Sequence, residues 1–252
     1  MRGVVLAGGH GKRLQPLTLV TNKHLLPVYK KPMIYYPIET LRNAGINEIL
    51  IVTSGEYLGH FYRLLQTGRS LGVKLHYEIQ EGSDGTGAAL LCAEEFTRND
   101  DFMVILGDNI VYENVRSFID DFQEEKKEFK AKILITKVDD PKKYGVVEFD
   151  EKRVTRLVEK PAVPFSNYVN TGLWIFQPEA FNYLKELKTS PRGEYETTDV
   201  LHSYAEQGLL TYGILKSKWT DAGTFEQLFN ATMLVKELED EITKNEVKAK
   251  GA

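Results

Sequence analysis

Short apolar runs alternate with amphipathic segments through the first half of the chain. The apolar runs GVVLAG, EILIVTS and DFMVILGD are separated by MIYYPIETLRNAG and LGHFYRLLQTG, which have the mixed apolar and polar spacing of helices. In VRSFIDDFQEEKKEF the apolar residues recur at helical spacing opposite a charged face: Val115, Phe118, Ile119 and Phe122. This alternation predicts an α/β fold with a doubly wound, mostly parallel sheet that extends to about Val138.

The pattern changes in the second half of the chain. Short strands are predicted in YGVVEFDE, RVTRLVEK and YVNTGLWIF, and the proline-containing segment AVPFSN breaks them. Helical patterns return in PEAFNYLKELK and TTDVLHSYAEQG, and a long one runs from Thr224 to about Lys244. We therefore predict a single domain, residues 1–252, with a smaller lobe or a set of sheet insertions at 139–223 and a C-terminal helix and tail at 224–252.

Composition and charge exclude several classes of protein. A chain of 252 residues with 42% hydrophobic residues is long enough to bury a core, as ordinary globular proteins do. Its net charge of -4 offers no bulk attraction to nucleic acid or to an anionic membrane surface. Because no window approaches the ~18 apolar residues of a membrane span, we expect a cytoplasmic protein without nucleic-acid or membrane partners.

A glycine-rich loop, LAGGHGKRLQPLT, follows the first predicted strand. Its glycines allow a ligand to approach the backbone closely, so the loop suits a phosphate cradle, a dinucleotide site or a plain tight turn. A dinucleotide site needs a carboxylate about 20 residues later, and TNKHLLPVYKKP contains none. The chain instead supplies cations that suit a ligand with several phosphates: Arg13, Lys23, Lys30 and Lys31.

With GGHGKRLQPLT followed by NKHLLPVYKKPMIYYPI, the chain resembles the sugar nucleotidylyltransferases, most closely the short glucose-1-phosphate thymidylyltransferases. Further motifs match in order along nearly the whole chain: ILGDN at 105–109, YGVVEFD at 144–150, EKP at 159–161, SNYVNTGLW at 166–174, ETTDV at 196–200 and WTDAGT at 219–224. The resemblance implies a Rossmann-like fold with a nucleotide-binding half at 1–138 and a mainly sugar-binding half at 139–223.

The resemblance also implies the reaction. A nucleoside triphosphate, dTTP or UTP, reacts with a hexose 1-phosphate and releases pyrophosphate, and Mg²⁺ is the expected cofactor. Because the attacking phosphate oxygen is already an anion near pH 7, no general base is required. Catalysis then depends on holding two repelling anions together and offsetting charge as the bond transfers.

Roles for particular residues follow from the same resemblance. Arg13 is expected to bind the phosphates that leave as pyrophosphate, and Lys23 to lie near the reacting phosphates. Asp108 and Asp221 are expected to converge as magnesium ligands, and the less favoured alternative for Asp221 is a turn residue that caps the following helix. The remaining substrate contacts implied are Leu6, Gly8, Gly9, Gly11, Gln80, Gly85, Asn109, Gly145, Glu159, Lys160, Asn170 and Thr171. A homo-oligomer is also expected.

Three departures from the family pattern bear on the substrate. Lys12 stands where Thr or Ser is usual, and residues 85–88 read Gly-Thr-Gly-Ala instead of Gly-Leu-Ala-Gln. Residues 169–172 read Val-Asn-Thr-Gly, which resembles the N-acetylglucosamine-1-phosphate uridylyltransferases. A UTP-dependent glucose- or N-acetylglucosamine-1-phosphate uridylyltransferase is therefore the alternative enzyme. A non-catalytic sugar-nucleotide sensor is disfavoured, because a sensor need not keep both candidate metal ligands.

Overall fold

The computed structural model describes residues 1–82, 84–190 and 192–250. Its strands are β1 (Arg2–Leu6), β2 (Pro27–Val28), β3 (Lys31–Pro32), β4 (Glu48–Ser54), β5 (Lys74–Gln80), β6 (Phe102–Leu106), β7 (Asn109–Val111), β8 (Ala131–Lys137), β9 (Gly145–Phe149), β10 (Val154–Glu159), β11 (Tyr168–Phe176), β12 (Leu210–Ile214) and β13 (Trp219–Asp221). Its helices are α1 (Tyr35–Asn43), α2 (Leu58–Leu65), α3 (Thr86–Leu91), α4 (Glu94–Thr97), α5 (Arg116–Glu125), α6 (Ala180–Lys185), α7 (Thr197–Glu206) and α8 (Phe225–Lys250).

One large sheet organises the molecule. Its strands follow the order β10-β9-β11-β6-β1-β4-β5, with β8 also beside β11 and β12 beside β8. Within the described part of the chain, all of these strands run in one direction except β10 and β11. The predicted α/β fold with a mostly parallel sheet is therefore confirmed.

Helices cover both faces of the sheet, because alternate residues of each strand point to opposite sides. Val4 and Leu6 of β1 pack in a core with α3, α6 and α7. Val5, between them, packs in a second core with α1, α2 and α5. The second core contains Phe118 and Phe122 from the predicted amphipathic segment. The doubly wound arrangement thus follows from the alternation of apolar side chains between the two faces of each strand.

The second half of the chain extends the same sheet. Strands β9 and β10 form an antiparallel hairpin in which Gly145 lies opposite Glu159, and β9 joins β11 through Val146 and Val169. The register of β11 on β8 then shifts between Asn170 and Trp174.

Gly172, inside this irregularity, has φ +80°, and a β-carbon there would lie 2.7 Å from Leu106 Cδ1. Both its backbone conformation and this close approach therefore require glycine. The irregularity sets Asn170 and Thr171 beside the carboxyl end of β6.

Two further features complete the fold. The small antiparallel pair β7–β13 places Asp221 opposite Asn109, next to Asp108. Helix α8 packs on β2 and α1 through Ala231 and Val235. It ends at Lys250, beyond the predicted end near Lys244, and residues 251–252 of the predicted tail lie outside the described residues. Among the described residues, none of the helices is long and apolar enough to cross a membrane.

Candidate active site

A cleft opens at the carboxyl ends of the central strands, where open α/β sheets bind ligands. It consists of two cavities of about 290 and 330 Å³, and Lys23 and Asp108 line both. We call the smaller the glycine-loop cavity and the larger the Glu159 cavity. Residues of the first are Leu6, Gly8, Gly9, Gly11, Gln80 and Gly85, and residues of the second are Arg13, Asn109, Gly145, Glu159, Lys160, Asn170, Thr171 and Asp221. Every residue to which the family resemblance assigned a role therefore lies in this cleft.

The loop that follows β5 lines the glycine-loop cavity, and Gln80 braces it. Gln80, the last residue of β5, donates a hydrogen bond from its Nε2 to the Gly85 carbonyl oxygen at 3.2 Å. Gly85 has φ +100°, and a β-carbon there would lie 2.6 Å from the Tyr195 carbonyl oxygen. A side chain at position 85 is thus excluded both by the backbone conformation and by a neighbouring backbone atom.

An ion pair joins the two cavities. Lys23 Nζ lies 2.5 Å from Asp108 Oδ2, and the two side chains are only 15% and 12% exposed. Burial by itself would raise the pKa of Asp108, but the charge of Lys23 beside it brings that pKa down to about 2. Asp108 is therefore an anion at neutral pH.

Asp221 reaches the same cleft from the other end of the chain. Burial, and then the charge of Asp108, raise the pKa of Asp221 to about 6. A β-carbon added at Gly223 would lie 3.5 Å from Asp221 Oδ2, 3.6 Å from Asp108 Oδ2 and 3.0 Å from Arg13 Nη2. Two carboxylates and an arginine therefore converge around Gly223.

Asp221 is not the cap of the helix that follows. Thr224 has that role, because its Oγ1 accepts a hydrogen bond from the Gln227 backbone N at 3.3 Å. In the part of the chain that the structure describes, no cluster of three or more His, Cys, Asp or Glu side chains could hold a metal ion. Two carboxylates suit Mg²⁺, which takes most of its ligands from water and phosphate oxygens.

Glu159 and Lys160 lie side by side in the Glu159 cavity. Neighbours on a strand ordinarily point to opposite faces, but β10 ends at Glu159 and Lys160 has φ +45°. Lys160 Nζ lies 3.1 Å from Glu159 Oε1, and Thr198 Oγ1 donates to Glu159 Oε2 at 3.0 Å. The end of the strand therefore directs both side chains into one cavity.

Other predicted residues support the cleft through hydrogen bonds to neighbouring protein groups. Asn170 Oδ1 accepts from Trp174 Nε1 at 2.8 Å, and Asn109 Oδ1 accepts from Trp219 Nε1 at 2.6 Å. Thr171 Oγ1 donates to the Leu134 carbonyl oxygen at 2.7 Å, and the residue is 2% exposed. The hydroxyl of Thr171 is thus directed at β8.

The chain matches the family model described as Nucleotidyl transferase over residues 2–237. It belongs to this family. The family and the enzyme class predicted from the sequence, a nucleotidyltransferase, are therefore confirmed.

Relatives of this nucleotidyltransferase match along most of its length. The Neisseria gonorrhoeae glucose-1-phosphate thymidylyltransferase is 42% identical over 244 residues, which are 95% of this chain and 84% of that protein. The Mycobacterium tuberculosis H37Rv protein of the same name is 41% identical over 243 residues, 95% of this chain and 83% of that protein.

Two solved structures have the same fold. A Bacillus anthracis protein assigned as a glucose-1-phosphate thymidylyltransferase, in complex with a sucrose, superposes with TM-score 0.88 at 42% identity and covers 93% of this chain and 94% of that chain. A UDP-glucose pyrophosphorylase complexed with UDP-glucose gives TM-score 0.81 at 26% identity, with coverages of 94% and 98%. The Rossmann-like fold class is confirmed.

Sequence reasoning missed several cleft residues of the nucleotidyltransferase: Tyr144, Arg192, Glu196, Thr198, Trp219 and Gln227. Four of these stand in motifs quoted for the resemblance, so the signal was present but their roles were not assigned. Arg192 and Gln227 lie in no such motif. Conversely, Lys31 pairs with Glu39 and Lys30 with Glu239, and neither lysine lines the cleft.

His24, next to the catalytic candidate Lys23, is buried and neutral. Its Nδ1 lies 2.7 Å from Asn22 Oδ1, and burial followed by the charge of Lys23 lowers its pKa to about 3. Because the unfolded chain binds a proton near pH 6.5, the stability that His24 contributes is present above that pH. It is lost as pH falls toward 3.

The stability advantage of wild type over His24→Gln should therefore shrink by about 2 kcal/mol between pH 7 and pH 5. The raised pKa of Asp221 has the opposite effect on stability, since protonation of Asp221 adds stability as pH falls below about 6. That contribution cancels because both proteins retain Asp221. Urea unfolding at the two pH values measures the difference, with His60→Gln, at an exposed position, as the matched control. An unchanged difference would contradict a neutral His24.

Proposed function

We propose that this nucleotidyltransferase is a glucose-1-phosphate thymidylyltransferase that joins dTTP to glucose 1-phosphate and releases pyrophosphate. The observation that carries the proposal is the pair of cavities that meet at Lys23 and Asp108. Relatives of that name at about 40% identity over 95% of the chain support the choice of substrates.

Each substrate is assigned to one cavity by its chemistry. The glycine-loop cavity, with the amide of Gln80 at its edge and bare backbone around it, suits a nucleobase and a phosphate chain. The Glu159 cavity offers a carboxylate for sugar hydroxyls and the ammonium of Lys160 for a sugar phosphate. The two phosphates would then meet beside Lys23.

The residues of the cleft suit transfer without a general base. Lys23 and Arg13 bring positive charge to the reacting and departing phosphates. Asp108 and Asp221 would hold Mg²⁺, which offsets phosphate charge when it is bound. Because the sugar phosphate is already an anion, the protein has only to align it with the α-phosphorus and to neutralise charge.

The alternative enzyme uses UTP. Asn170 and Thr171, in the Asn-Thr-Gly sequence, and the similarity to the UDP-glucose pyrophosphorylase structure favour it. Thymine differs from uracil by one methyl group, which is worth only ~1 kcal/mol or a little more in a hydrophobic pocket.

Oligomer formation and cytoplasmic location belong to the same proposal. Helix α8 exposes apolar side chains at intervals of one turn, and this face would suit contact between copies: Phe225, Phe229 and Met233.

A matrix of substrates tests the proposal directly. We expect dTTP with glucose 1-phosphate to give the highest kcat/KM when dTTP, UTP, CTP, ATP and GTP are each combined with glucose, N-acetylglucosamine and mannose 1-phosphates. Pyrophosphate release provides the measurement. A tenfold preference for UTP or for N-acetylglucosamine 1-phosphate would overturn the assignment, and absence of turnover with every pair would favour a sensor.

A further inference from the structure

One carboxylate oxygen of Asp221 is held by two neighbouring side chains. Tyr144 donates its hydroxyl proton to Asp221 Oδ1 at 2.9 Å, and Gln227 Nε2 donates to the same oxygen at 2.6 Å. Gln227 Nε2 also donates to the Tyr144 hydroxyl oxygen at 3.1 Å. The three side chains form a closed triangle of hydrogen bonds, which fixes the rotation of the carboxylate.

The start of α8 determines how Gln227 points. The Thr224 hydroxyl donates to Gln227 Oε1 at 2.9 Å, while its oxygen accepts the Gln227 backbone N–H at 3.3 Å. With Oε1 occupied in this way, Nε2 is left facing Asp221 and Tyr144. The capping turn of the helix therefore aims the amide into the cleft.

Tyr144 is held through both its ring and its backbone. Its ring meets Trp219 edge to face, with centroids 5.4 Å apart at 68°. Trp219 in turn donates to Asn109 Oδ1 at 2.6 Å, and the Tyr144 carbonyl oxygen accepts the Lys160 backbone N–H at 3.0 Å. The ring of Tyr144 thus packs on the same strand pair that brings Asp221 to Asp108.

We propose that Gln227 and Tyr144 are positioning residues for Asp221. They hold Oδ1, so that Oδ2 is presented beside Gly223 on the side of Asp108. The inference rests on the proposed function, in which Asp108 and Asp221 hold a divalent cation with the nucleotide. Groups that orient a metal-binding side chain commonly change metal affinity by about 10- to 100-fold when they are lost. The effect of losing Gln227 should pass entirely through Asp221.

The test measures how strongly Mg²⁺ promotes dTTP binding. Calorimetry gives the Kd of dTTP in EDTA and in Mg²⁺. The ratio of the Kd in EDTA to the Kd in Mg²⁺ measures the metal dependence. We expect Gln227→Leu and Tyr144→Phe each to lower this ratio by about fivefold or more. Asn230→Leu, the same amide-to-leucine change at an exposed position of α8, should leave it unchanged. Tyr144→Phe removes one atom, so its result is readable even if Gln227→Leu folds poorly.

A double-mutant cycle separates positioning from other roles. In an Asp221→Asn background, Gln227→Leu should lower the ratio no further, because the carboxylate that it orients is gone. A wild-type ratio in Gln227→Leu, or an undiminished effect of Gln227→Leu in the Asp221→Asn background, would overturn the proposal. These outcomes are distinct from failure of the proposed function: a wild-type protein with Mg²⁺-dependent dTTP binding but no nucleotide-sugar product would refute the function and still decide the cycle.

Discussion

Asp108→Asn and Asp221→Asn are each expected to lower turnover by on the order of a hundredfold or more, and the double variant should be little worse than the poorer single one. The two carboxylates converge around Gly223, so a cation bound there would need both. If both residues bind one ion, losing either of them already removes most of what the ion contributes to turnover. The effects of the two substitutions should therefore not add.

Steady-state kinetics across a range of Mg²⁺ concentrations measures this result. Excess Mg²⁺ should partly rescue either single variant if affinity rather than geometry is lost. Asp121→Asn, on the exposed face of α5, is the matched control and should have wild-type turnover. Near-normal turnover of Asp221→Asn with unchanged Mg²⁺ dependence would show that Asp221 binds no metal and that Asp108 works with water and phosphate ligands alone.

Lys23→Met is expected to have the second large effect, on both turnover and stability. The substitution removes the charge beside the reacting phosphates, and we expect turnover to fall on the order of a hundredfold. It also leaves Asp108 largely buried without its partner, which should cost about 3 kcal/mol of unfolding free energy at pH 7. As the pKa of Asp108 would rise, part of that loss should be recovered when the pH is lowered.

Lys31→Met provides a matched control for the Lys23 experiment. Lys31 pairs with Glu39 at the same 2.5 Å distance, but it lies outside both cavities and the pair is more exposed. The turnover of the Lys31→Met variant should match wild type, and its free energy of unfolding should change by less than about 1 kcal/mol. Chemical unfolding and steady-state kinetics measure the two effects separately. Equal losses of stability in both variants would show that Asp108 does not depend on Lys23.

The fold was predictable because burial requires apolar residues at regular spacings along helices and strands. β1 reads as a strand with both faces buried, and α5 places Phe118 and Phe122 on one face of a helix. The convergence of Asp221 with Asp108 came only from the family resemblance. It depends on β7 and β13, strands of three residues each that pair across a long stretch of chain. So short a pairing leaves no periodic signal in the sequence.

Orientation of side chains in the cleft was the least predictable feature. The left-handed backbone of Lys160 cancels the alternation expected for neighbours on a strand. The sequence pattern places Gln227 on a helix, but the hydroxyl of Thr224 decides which amide atom faces Asp221. Both outcomes depend on contacts made only after the chain has folded, so a single sequence does not specify them.

A crystal structure with dTDP-glucose and Mg²⁺ tests the central claim most directly, because one product molecule should occupy both cavities. We predict thymine beside Gln80 and Gly85, glucose beside Glu159, and the diphosphate between them near Lys23, with the cation between Asp108 and Asp221. A nucleotide bound outside the glycine-loop cavity, or a sugar placed away from Glu159, would contradict the account.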